Sequence, residues 1–164
     1  LEEDGDGQAA LGEGRERCLE RAEGYLRGWD QGAEGVGLFR TEVPFIVNER
    51  FPSEIEQTEI YRRQLEVFAP KKVTMRTLDV GGDKDLPYFP INEANPFLGW
   101  RGIRVTLDHP EIFISQVRAM LRASHKLENL QIMLPMISSV GEVYSAMQLI
   151  KRAHSELLQE NLPV

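Results

Sequence analysis

Met75-Arg76-Thr77-Leu78-Asp79-Val80-Gly81-Gly82-Asp83-Lys84 is the stretch whose reading decides the fold of this chain. Val73, Thr74, Met75 and Thr77 are apolar or β-branched, follow the break at Pro70-Lys71-Lys72, and predict a strand. The strand runs into a Gly-Gly pair, where backbone can take a positive φ or approach a ligand closely. It carries Arg76 and leads to Asp79, Asp83 and Lys84 at its carboxyl mouth. Charge placed there is costly to desolvate unless it is paired or bound. Two readings follow: a structural ion pair that caps the strand, or an anion site at the carboxyl end of a sheet.

Upstream, Gly32 to Glu42 reads as a turn and a short buried strand that also ends in an arginine and an acid, Arg40 and Glu42. The stretch from there to Arg50, with Pro44 and Asn48, reads as loop. Ser53-x-x-Glu56 after Pro52 is a capping box opening a helix with Ile55, Tyr61, Leu65 and Phe68 on its apolar face, stopped by Pro70.

Downstream lies a long irregular stretch with Pro87, Pro90 and Pro96, reaching Asn95-Pro96-Phe97-Leu98-Gly99-Trp100-Arg101-Gly102-Ile103-Arg104. A connection of this length within a compact domain is usually functional. The alternative makes Trp100 a packing anchor with Arg101 and Arg104 solvated around it. A helix is predicted over Pro110–Ser124, capped by Asp108 or His109, with Phe113, Val117, Met120 and Leu121 as its stripe. Leu130–Ile137 reads as a third strand. Ser139-x-x-Glu142 is a second capping box, opening a helix to about Gln159 with Val143, Met147 and Ile150 facing inward. Strands alternating with helices predict an α/β fold with a parallel sheet, whose ligands sit at the carboxyl ends of the strands.

The 164 residues suit one domain, and a 41% hydrophobic content supports a core. A net charge of −7 argues against nucleic acid or an anionic membrane as partner, and no apolar run is long enough for membrane insertion. Residues 1–31 read as a flexible acidic start and a helical segment over about Glu13–Trp29, with Leu19, Ala22, Leu26 and Trp29 on one stripe. Gly5-x-Gly7-x-x-Ala10 resembles a dinucleotide fingerprint only by chance, because no strand precedes it. The single cysteine, Cys18, fits a reducing, cytoplasmic compartment. His109, His125 and His154 have no metal-ligand spacing. With no initial Met and an abrupt end at Leu162-Pro163-Val164, the chain reads as a fragment.

Arginines delivered to one mouth suit a ligand bearing phosphate or carboxylate, because the guanidinium fork pairs with these groups bidentately. Each charge-assisted hydrogen bond contributes roughly 1.5–3 kcal/mol, so three could hold a small dianion.

The motifs Gly35–Glu42, Arg76–Lys84, Asn95–Arg104 and Leu134-Pro135-Met136-Ile137, in that order, resemble the phosphoenolpyruvate-utilising (β/α)8 barrel. More narrowly they resemble enzyme I of the sugar phosphotransferase system, in its nitrogen-related branch. The resemblance implies a partial TIM (β/α)8 barrel, about its first three βα units, over residues 32–164, preceded by the extra helical segment. It implies transfer of a phosphoryl group from phosphoenolpyruvate to an enzyme histidine and on to a phosphocarrier protein, in the service of sugar transport or nitrogen regulation. Arg40 and Arg76 fall on the family's phosphate-binding arginines, and Arg101 on a further active-site arginine. The family's Mg2+ ligands and catalytic cysteine come later in the barrel, so this chain is expected to be catalytically incomplete. Ser124-His125 lacks the glycines of the family's phosphorylated-histidine motif, and that role is not carried over. A homodimer is implied for the full-length protein. Three βα units cannot close a barrel of about 250 residues, so the isolated piece is expected to oligomerise or to be marginally stable. The rivals are a barrel fragment of phosphoenolpyruvate synthase or pyruvate phosphate dikinase, and a non-catalytic dimerisation or sensing module.

Overall fold

A computed structural model describes residues 32–47, 50–81, 86–92, 94–95 and 97–164. The expected helix over Glu13–Trp29, Cys18 and the 5–10 glycine pattern lie outside the described residues, as do Gly82, Asp83 and Lys84. The element order is β1 (Val36–Arg40), α1 (Val43–Val47), α2 (Glu54–Phe68), β2 (Val73–Arg76), α3 (Ile103–Asp108), α4 (Pro110–Ser124), β3 (Leu130–Met133) and α5 (Val140–Gln159). The strands form one parallel sheet in the order β1-β2-β3, as the alternation predicts.

Register sorts the side chains onto two faces, since residues opposite one another in a sheet share a face and successive residues alternate. Phe39 pairs with Met75 and Met75 with Ile132. These join Val73 and Leu130 in a core closed by Tyr61, Leu65 and Phe68 of α2 and Ala119, Met120 and Ala123 of α4. On the other face Arg40 is opposite Arg76, and Arg76 opposite Met133. There Thr74 donates to Gln131 across the sheet at 3.0 Å. One face is thus apolar and covered by helices, while the other is polar and carries two of the three arginines singled out above.

Both capping boxes form. Ser53 accepts from the Glu56 amide and Ser139 from that of Glu142, and each glutamate reaches back to its cap. At the start of α2 Arg50 adds a fork onto Glu56, at 2.7 and 2.9 Å. Hydrogen bonds from Arg50 and Ser53 hold the Glu56 carboxyl at about 2, below its ordinary 4.5. A depressed carboxyl pKa contributes stability in full above the ordinary value, and loses it as pH falls through the folded one. The melting temperature of Glu56→Gln should therefore lie below wild type at neutral pH. The gap should close between pH 4.5 and about 2; a gap independent of pH would refute this assignment.

Several expectations need correction. The stretch after Glu42 is not all loop: α1 forms because the Phe45 and Ile46 amides both donate to the Glu42 carbonyl, and Pro44 suits a first turn. Burial of Phe45 against Leu78, Val80 and Leu86 fixes it there. The irregular stretch ends in a helix of its own, α3, whose Ile103, Val105 and Thr106 are buried. The third strand stops at Met133 rather than Ile137, because its β2 partner Arg76 is the last of its strand and Met136 has a φ of 61°. Ile55 is exposed rather than inward. So are Val143 and Met147; α5 instead buries Ala146, Ala153 and Leu157, whose small alanines permit close approach to α4. His109 precedes α4 but makes no side-chain cap, whereas Pro110 does occupy the first turn.

Candidate functional site

Both long-range arginine predictions resolve at the carboxyl end of the sheet. Arg40 and Arg76 are the last residues of β1 and β2 and are register partners, so they leave adjacent strands on the same face. Arg40 is exposed. Arg76 reaches across to Glu42, with one terminal nitrogen 2.5 Å from a carboxylate oxygen, and its other terminal nitrogen lies 3.1 Å from Asp79. Arg101 arrives from the long connection and places Nη2 3.1 Å and Nε 3.3 Å from the other Asp79 oxygen. Asp79 therefore bridges Arg76 and Arg101. The side chains of Glu42 (3% exposed), Asp79 (6%), Arg101 (10%) and Arg76 (13%) are withdrawn from water.

This arrangement contains the structural ion pair that the sequence left open, and more besides. Among the described residues two guanidiniums, of Arg76 and Arg101, face the two carboxylates of Glu42 and Asp79, and Arg40 leaves the adjacent strand end beside them. Arg76 Nε is buried without a hydrogen-bond partner among the described residues, as is the Thr77 hydroxyl. A guanidinium has five N–H donors, so carboxylates that occupy some of them fix the plane of the group while others remain for a ligand. The site is an oriented cluster of donors, suited to an anion with several oxygens.

Backbone conformation brings Arg101 to Asp79. Gly81 has a φ of 113°, and a Cβ there would lie 2.8 Å from the Arg101 Cβ. Gly102 has a φ of 58°, and a Cβ there would lie 3.0 Å from Met136 and 3.3 Å from Asp79 Oδ1. The sequence reading allowed Gly81 either a positive φ or a close approach to ligand; the structure gives it the positive φ and an approach to the Arg101 loop. The Gly102 amide donates to the Val80 carbonyl and the Ile103 amide to that of Pro135, which ties the loop to both neighbouring strand exits.

The long connection is packed at its two ends, where Leu86 and Arg101 are buried, whereas Phe97 and Leu98 in its middle are exposed. Trp100 stands against Phe89 and His109 and donates to Asp108 at 2.5 Å. Its anchor role holds, but the arginines beside it do not lie loose in water: Arg101 is buried, and Arg104 donates to the Leu98 and Gly99 carbonyls. Tyr88 donates to the Phe45 carbonyl at 2.6 Å.

Sequence reasoning missed Gln116. It lies wholly buried in the α4 stripe between Phe113 and Val117, accepts from the Leu78 amide at 2.7 Å, and donates to Thr41 and Tyr61 at 3.0 Å each. An amide in the middle of an apolar stripe was the available signal. Burial raises the Tyr61 phenol well above its usual pKa, which keeps it neutral.

Magnesium does not fit the residues described. None of them form a group of three or more His, Cys, Asp and Glu that could hold a metal, and the two acids of the site face arginines. Nor is any described helix long and apolar enough to cross a membrane.

Against this geometry, the family model described as the PEP-binding domain of PEP-utilising enzymes matches residues 19–164. The chain belongs to the PEP-utilising enzyme family. Curated relatives are similar over most of the chain. A Salmonella typhimurium protein named phosphoenolpyruvate-dependent phosphotransferase system is 59% identical over 124 residues, which cover 76% of this chain and 17% of that protein. An Escherichia coli protein of the same name has the same identity and coverage. The phosphoenolpyruvate-protein phosphotransferase of Staphylococcus carnosus is 46% identical over 136 residues, covering 82% of this chain and 24% of that protein. The chain thus spans a quarter or less of these PEP-utilising relatives, and the family match begins upstream of Gly32, where the recognisable motifs start.

Proposed function

We propose that the chain is the N-terminal portion of the phosphoenolpyruvate-binding barrel of a phosphoenolpyruvate–protein phosphotransferase. Residues 32–164 supply about the first three βα units, and residues 1–31 form a preceding segment. The parallel β1-β2-β3 order, with helices on one face and polar residues on the other, supports a barrel wall. The whole enzyme moves a phosphoryl group from phosphoenolpyruvate to one of its histidines and then to a phosphocarrier protein. The phosphorus–oxygen bond of phosphoenolpyruvate breaks, a phosphorus–nitrogen bond forms, and pyruvate leaves as its enolate to take up a proton. The enzyme works as a cytoplasmic homodimer with Mg2+, held by ligands outside the described residues.

One observation carries this reading: Arg76 and Arg101 are oriented by a shared Asp79 beside Arg40, at the carboxyl ends of parallel strands. Fixed guanidiniums there bind the phosphate and offset charge on its oxygens during transfer without reorganising.

Arg40 gives the cleanest probe, because it is exposed and its removal costs the fold little. Arg40→Ala in the full-length enzyme should lower phosphoryl transfer from radiolabelled phosphoenolpyruvate by about 10- to 100-fold, the worth of one charge-assisted bond, with an unchanged melting temperature. Wild-type labelling in that variant would contradict the proposal.

A further inference from the structure

Three charged residues of the site, Arg40, Glu42 and Arg76, share a neighbour in Thr41. Thr41 lies between Arg40 and Glu42, and its hydroxyl donates to the Arg76 carbonyl at 2.6 Å. Gln116 donates to that same hydroxyl and accepts from the Leu78 amide, two residues beyond Arg76 and one before Asp79. One α4 side chain thus grips the exits of β1 and β2 together, bracketing the segment that carries Arg76 and Asp79. The grip is backed from behind. Gln116 also donates to the Tyr61 hydroxyl, Tyr61 donates to Gln57 at 3.1 Å, and Gln57 donates to the Pro52 carbonyl at 2.9 Å. Thr41, Gln57, Tyr61 and Gln116 are all buried, so each bond is shielded from exchange with water.

We infer that Gln116, acting through Thr41, is a positioning residue for phosphoenolpyruvate binding, holding the two strand exits at the spacing that aligns Arg40, Arg76 and Asp79. A core needs no amide here for packing alone, since methionine has a similar size and shape. The amide is required because the Leu78 N–H needs an acceptor while the Thr41 oxygen, whose own proton goes to the Arg76 carbonyl, takes a donor, and only a group with both functions can meet the two. This inference rests on the proposed role of the arginines.

The test uses the full-length enzyme and measures kcat and KM for phosphoenolpyruvate, with melting temperature, in five variants. Gln116→Met and Thr41→Val should each lower kcat/KM by about 10- to 100-fold, the usual consequence of a displaced binding group. Thr41→Ser, which keeps the hydroxyl, should restore most of that loss. Leu157→Ala opens a cavity near the end of α5, at a buried residue outside the Thr41–Gln116–Tyr61 hydrogen-bond chain, and should lower the melting temperature while keeping wild-type kcat/KM. Arg40→Ala reports on the site itself. Loss of stability with unchanged kcat/KM in Gln116→Met and Thr41→Val would overturn the inference, as would an equal kinetic loss in Leu157→Ala. Should Gln116→Met fail to fold, the Thr41→Val and Thr41→Ser pair decides. If Arg40→Ala is impaired and the Thr41→Val enzyme is normal, only the positioning role falls. If Arg40→Ala is fully active, the reading of the site falls and takes this inference with it.

Discussion

Arg76→Ala should abolish phosphoryl transfer in the full-length enzyme and lower its melting temperature as well. Arg76 is the hinge of the site, because it touches both Glu42 and Asp79. Asp79 would keep Arg101, and the almost fully buried Glu42 would lose its ion pair with Arg76. Breaking a buried pair from one side costs about 3–5 kcal/mol, which for a barrel of ordinary size is of order 10 °C in melting temperature. Arg76→Lys separates the two effects. A lysine retains charge but cannot fork across two carboxylates and still present donors to a ligand. It should recover part of the stability and little of the activity. An Arg76→Ala enzyme that melts early but turns over normally would reduce the cluster to a structural ion pair.

Gly81→Ala is the second large effect, and it acts through Arg101 alone. The new Cβ would meet the Arg101 Cβ at 2.8 Å and the Trp100 carbonyl at 3.4 Å. These are atoms of the main chain or fixed to it, so the loop itself must retreat. The residue must also hold a φ of 113°, which L side chains rarely adopt and which costs of order 1–3 kcal/mol. The cheaper response is to move the Arg101 loop off Asp79, breaking the 3.1 Å contact. Affinity for phosphoenolpyruvate should fall by about 10- to 100-fold, the worth of one charge-assisted contact, with a melting temperature a few degrees lower. Retained affinity would show that Arg101 is not needed for binding.

What the sequence made legible were features with local signatures. Two capping boxes marked α2 and α5, Pro110 marked α4, and the strands ending in Arg40 and Arg76 were visible as apolar runs that stop at charge. The hidden features depend on contacts between distant segments. Glu42 lies 34 residues from Arg76, and nothing local announces that they meet. The helices α1 and α3 are only 5 and 6 residues long, too short for periodicity to speak, and are fixed by burial of Phe45, Ile103 and Val105. The Val143 and Met147 face was misread because an apolar stripe shows that a helix has a dry side without saying which neighbour covers it. Among the described residues, α4 takes the Ala146 and Ala153 side instead.

The most direct test of the central claim, that these arginines form the phosphoenolpyruvate site, is a calorimetric titration of the full-length enzyme with phosphoenolpyruvate and Mg2+, wild type beside Arg40→Ala. The account predicts a dissociation constant raised by about 10- to 100-fold in the variant, with the melting temperature of the free protein unchanged. Equal affinity in the two proteins would contradict it.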